Sequence, residues 1–79
     1  MRWQDHVEHK PDVLGGKAVI KGTRIAIELI LERLGDGWKE DDLLRSFPQL
    51  RREDIQAAQG YAAAALSKDE LTFINEPAA

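Results

Sequence analysis

The chain has 79 residues, enough for one small domain with a modest core. It contains no cysteine, which excludes disulfides and cysteine-based zinc sites and leaves an efficient helical core, an oligomer, or both, as the source of stability. With 11 basic and 14 acidic residues the net charge is -3, which excludes a diffuse nucleic-acid coat and allows phosphate contact only through a local basic patch.

That charge is unevenly spread. Residues 1–25 hold five basic and three acidic residues, 26–50 three and six, and 51–79 three and five. The first fifteen residues lack the apolar stretch of a leader. No apolar run approaches the roughly 18–20 residues of a membrane span. A soluble cytoplasmic protein is expected.

In chain order, residues 1–14 read as an N-terminal arm, 15–67 as the folded domain and 68–79 as a C-terminal tail. In the arm, Trp3 and Val7 are four apart and would share one side of a helical turn, although an irregular segment fits equally. Pro11 breaks any helix there. Gly15-Gly16 is a turn signal. Lys17–Ile20 and Thr23–Ile25 are short strand candidates separated only by Lys21-Gly22, which is compatible with a tight hairpin. Strand alternation would place Lys17, Val19 and Lys21 on one side, with Ala18 and Ile20 on the other.

Three helices follow. In the first, Ala26–Asp36, Ile27, Ile30, Leu31 and Leu34 repeat at helical spacing, and Gly37 is the better candidate for a left-handed cap. The second, Lys39–Ser46, opens with Glu40, Asp41 and Asp42 against the helix dipole and stops before Pro48. Trp38 is expected beneath it. The third, Arg51–Leu66, carries one stripe of Ile55, Ala58, Ala62 and Leu66 beside another of Ala57, Tyr61 and Ala65. Gly60 inside it costs on the order of 1 kcal/mol relative to alanine, which points to a close contact.

Several stretches together carry a family resemblance: Trp3–Val7 (WQDHV), the central GGKAVIKGTRIAIELIL, Asp36–Trp38 (DGW), and FPQL followed by REDIQAA and GYAAA over 47–64. From about Trp3 to Leu66 the chain resembles domain-of-unknown-function family 433, small bacterial and archaeal proteins regarded as antitoxin-like. The combination is specific, although no single piece is. The resemblance implies a mainly α fold, a three-helix homeodomain-like (helix-turn-helix) core with a short N-terminal β hairpin arm. It also implies a PIN-like ribonuclease toxin as partner and repression of the chain's own operon. Against the family pattern, Ala18 and Ala26 replace proline, and Lys39 and Arg51 replace the usual Ser or Thr caps, at about 1 kcal/mol each.

The candidate sites follow from that reading. A helix-turn-helix presents the start of its second helix to the major groove, which nominates Arg51, Arg52, Gln56 and Gln59 for DNA. Glu53, Asp54 and the acids of the preceding helix count against it. Lys17, Lys21 and Arg24 are candidates for phosphate contact, for a homodimer interface, or for protection of an exposed strand edge. The order Lys-Gly-Thr is not a Walker loop. Leu71, Phe73 and Ile74 in the tail are candidates to order on the toxin, or to dock on the chain's own Tyr61 face. His6 and His9, spaced i, i+3, lack a third strong metal ligand, so a solvated segment is the expectation. The two serines, Ser46 and Ser67, are far from histidine in sequence. No enzymatic activity and no cofactor are expected. The competing functions are an antitoxin, a stand-alone transcriptional regulator and a structural dimerisation module.

Overall fold

The computed structural model describes residues 1–69 as two short strands followed by three helices: β1 (Val7–His9), β2 (Ala18–Ile20), α1 (Ile27–Gly35), α2 (Glu40–Ser46) and α3 (Arg52–Asp69). Trp3–Asp5 form one 3-10 turn. Leu14–Gly16 make a left-handed turn with φ of 49°, 68° and 88°, which costs Leu14 roughly 1–2 kcal/mol. No helix among the described residues is long and apolar enough to cross a membrane.

The two-stranded sheet is not the hairpin expected between 17–20 and 23–25. β2 pairs antiparallel with β1, with Val7 opposite Ile20, Glu8 opposite Val19 and His9 opposite Ala18. The N-terminal arm is therefore part of the sheet. Thr23–Ile25 fail to extend because the Thr23 side chain takes up the local backbone groups. Its hydroxyl donates to the Ile20 carbonyl at 2.8 Å and accepts the Ile25 N–H at 2.9 Å, a local bonding pattern that favours turns over ladders. The chain returns to β2 through the Ile20 N–H, which donates to the Ile25 carbonyl at 3.0 Å, and an isolated bridge between Val19 and Ala26. β2 is thus flanked on both sides, and Val19 and Ile20 are both buried. Successive side chains of a strand point to opposite faces, so both faces of β2 are covered.

α1 forms as its periodicity requires, with Ile27 and Ile30 buried and Leu31 and Leu34 packed against the core. It ends in a Schellman arrangement. The Gly37 N–H donates to the Leu34 carbonyl and the Trp38 N–H to the Arg33 carbonyl, both at 3.0 Å. Gly37 has φ of 100°, which a side chain would strain. The turn brings Trp38 back so that the Arg33 guanidinium lies 5.4 Å from its ring centroid.

α2 and α3 share one solution to their missing caps. Neither Lys39 nor Arg51 has a side-chain acceptor. Instead the carboxylate three residues on reaches back: Asp42 accepts the Lys39 N–H at 2.8 Å, and Asp54 accepts the Arg51 N–H at 3.0 Å. This is the reciprocal half of a capping box. Leu43, Leu50, Ile55 and Ala58 complete the core with Ile20, Ile25, Ile27 and Ile30.

α3 is roughly 27 Å long at 1.5 Å per residue, longer than the elements it packs on. Its buried face covers Asp54, Ile55, Ala57 and Ala58, whereas Ala65 and Leu66, expected to continue the two stripes, are exposed. The close contact expected at Gly60 is with the arm: a Cβ there would lie 3.0 Å from Trp3 Cδ1. The indole also meets Tyr61 edge-on, with centroids 5.4 Å apart. Gly60→Val is therefore expected to expel Trp3 and to cost about 1–3 kcal/mol. Tryptophan emission in a Trp38→Phe background should shift to the red, and an unshifted spectrum would refute this seating.

Candidate partner-binding surfaces

The start of α3 is held by two devices. The first is buried. Asp54, 4% exposed, accepts the Arg51 N–H on Oδ2, while its Oδ1 lies 3.0 Å from His6 Nδ1. The carboxylate thus joins the arm to the head of α3 with both oxygens engaged. Sequence reasoning placed His6 in a solvated segment and Asp54 among phosphate-repelling acids. The spacing Arg51-x-x-Asp54 is the one local signal that could have revealed the cap, and nothing local marks a partner 48 residues away.

The second device is on the surface. Arg52 bonds Glu40 Oε1 at 2.7 Å and Asp41 Oδ1 at 3.0 Å, bridging α3 to the first turn of α2. The hydrogen bond that Arg52 donates to Asp41, then the one it donates to Glu40, raises the guanidinium pKa above its ordinary value. The acids that sequence alone set against DNA thus have local tasks, since Asp42 caps its own helix and also takes Arg45 at 2.6 Å. To reach a base, Arg52 would have to leave both carboxylates. Arg51, Gln56 and Gln59 are exposed, and the last two share a helical face with Arg52.

Of Lys17, Lys21 and Arg24, the first is drawn away from the other two. Lys17 bonds Glu28 on α1 at 3.0 Å. Lys21 and Arg24 are exposed in the turn after β2 and have no carboxylate within ion-pair reach among the described residues. His6 and His9 are also drawn apart, His6 to Asp54 and His9 toward Tyr61, with ring centroids 6.2 Å apart in the second pair.

Between β2, α1 and α3 lies an open groove of about 550 Å³. Ala18, Ile27, Leu31, Tyr61, Ala62 and Ala65 supply its apolar lining. The Lys17–Glu28 pair and His9 also line it, and Leu66, 57% exposed, stands beside Ala65. Small side chains along α3 make the concavity. No motif announced it, because its walls come from three elements. Leu71, Phe73 and Ile74 lie outside the described residues.

Comparison with known proteins bears on this arrangement. Over 58 residues the chain is 34% identical to "Uncharacterized protein y4eO" of Sinorhizobium fredii (strain NBRC 101917 / NGR234). That match covers 73% of this chain and 26% of the relative, so the chain spans about a quarter of the other protein's length. The fold is similar to the crystal structure of a DUF433 member protein from Anabaena variabilis ATCC 29413, with a TM-score of 0.75 and 31% identity. That likeness covers 82% of this chain and 64% of the other. Residues 7–62, from β1 to the middle of α3, match the family described as "Protein of unknown function (DUF433)". The chain belongs to the DUF433 family.

Proposed function

We propose that the chain is an antitoxin-type binding module that covers a PIN-like ribonuclease toxin and also contacts its own operator through α2 and α3 as a helix-turn-helix. The observation that carries the protein-binding half is the apolar groove beside exposed Leu66. A concave apolar surface with a charged rim suits an amphipathic segment of a partner. Leu71, Phe73 and Ile74 would extend the contact beyond Asp69. Neutralisation would work by occlusion, with a peptide or charged side chain filling an acidic, metal-dependent nuclease site. A homodimer would present each surface twice.

The test is co-expression with a PIN-like reading frame adjoining the gene. Ala65→Glu puts a charge at the exposed rim of the groove, leaves the core untouched, and is expected to weaken capture of the toxin at least about tenfold. Toxin that stays fully active beside stoichiometric protein would sink the reading. A stand-alone transcriptional regulator is the second reading, supported by the exposure of Arg51, Gln56 and Gln59 on one end of α3.

A further inference from the structure

Several cations of the described chain stand beside a carboxylate. Arg2 approaches Asp5, Lys17 Glu28, Arg33 Glu32, Arg45 Asp42, and Arg52 both Glu40 and Asp41. Lys21 and Arg24, three residues apart in one turn, have no such partner among the described residues, and neither do Lys39 and Arg51. That turn faces a cleft of about 430 Å³ whose polar lining comes from Lys10, Thr23, Arg24 and Gln49, with no carboxylate. Lys10 is only loosely held: its Nζ is 3.8 Å from Glu8 Oε2, an oxygen already accepting the Gly22 N–H at 2.8 Å. Gln49 belongs to the turn joining α2 to α3, two residues before exposed Arg51. The tertiary fold therefore gathers donors from three separate stretches, one of them two residues before Arg51.

We infer that this cleft holds a phosphate of a nucleic-acid backbone, with Arg24 as the bidentate donor, Lys10 as a point charge and the Gln49 carboxamide completing the cradle. A guanidinium fork matches two phosphate oxygens, and an ammonium adds charge without direction. Lys21, exposed beside the cleft, would take a neighbouring phosphate. Such contacts set register on a duplex without reading sequence. The inference rests on the nucleic-acid half of the proposed function and changes its residues: Lys17 leaves the set, while Lys10 and Gln49 join it.

Fluorescence anisotropy of a short mixed-sequence DNA duplex, titrated with the full chain over a range of salt concentrations, tests it. Arg24→Gln and Lys10→Gln, both at exposed positions, are each expected to weaken binding about threefold to tenfold and to lower the logarithmic salt slope by about 1. Arg24→Lys should recover part of the loss, and Lys17→Gln should match the intact chain. Unchanged affinity in Arg24→Gln alongside a loss in Arg51→Gln would overturn the cleft and leave the operator reading standing. Absence of duplex binding by the intact chain at low salt would overturn both. Amide shifts at Thr23 and Arg24 that saturate with inorganic phosphate but not with duplex would overturn the nucleic-acid assignment.

Discussion

Ile30→Ala is expected to remove about 3 kcal/mol of stability and to lower Tm by more than about 10 °C. Ile30 is fully buried and packs in one cluster with Ile20, Ile27, Leu43 and Ile55, so it joins the sheet to all three helices. Truncation leaves a cavity that rigid neighbours close only in part, which adds to the lost transfer energy. A domain this small has few kcal/mol to lose. Leu66→Ala is the informative control. Its spacing places Leu66 in the same stripe as Ile55, but it is 57% exposed, so its loss should stay within about 0.5 kcal/mol. Equal losses for the two variants in urea unfolding would show that the far half of α3 is part of the core.

Asp54→Ala is expected to cost about 2–3 kcal/mol, because it removes the cap of α3 and the anchor of the arm in one step. His6→Ala should cost less, since Asp54 would still accept the Arg51 N–H at 3.0 Å. It would nevertheless leave a carboxylate that is 4% exposed with one partner fewer. The two losses should therefore not add. A double-mutant cycle from urea unfolding should give a coupling of at least about 0.5 kcal/mol. Additive losses would mean that the 3.0 Å contact between His6 and Asp54 contributes nothing of its own.

Both expectations bear on how far the sequence could be read. Helical spacing placed α1 closely because Ile27, Ile30, Leu31 and Leu34 form one repeat along one face, and the cap at Gly37 needs only a local left-handed angle. Pro48 ended α2 by simple chemistry. The excess cost of Gly60 pointed to a close neighbour, and Trp3 is that neighbour. The reading failed wherever a residue's role depends on a partner far along the chain. Val7–His9 held no distinctive pattern, yet they supply the strand that pairs with β2. Thr23–Ile25 had strand composition, yet the Thr23 hydroxyl diverts their backbone into a turn.

The candidate surfaces divide in the same way. The excess of basic residues in 1–25 was visible as a count, but a count does not show which charges are spent. Lys17 and Arg52 are engaged by carboxylates on other elements, whereas Lys21 and Arg24 are not. The groove under α3 and the cleft at Arg24 each draw walls from three separated stretches, so no window of sequence contains either. The sequence by itself determined the three helices, the stops of the first two and the class of a small, cysteine-free, mainly helical domain, because these follow from spacing and from backbone preferences within a few residues; α3 runs on to Asp69, past the stop expected at Leu66. Only the tertiary structure decided that the arm is built into the sheet, that Asp54 is a buried anchor and which cations remain open to a partner. Those outcomes depend on burial and on charge pairs that exist only once distant segments meet.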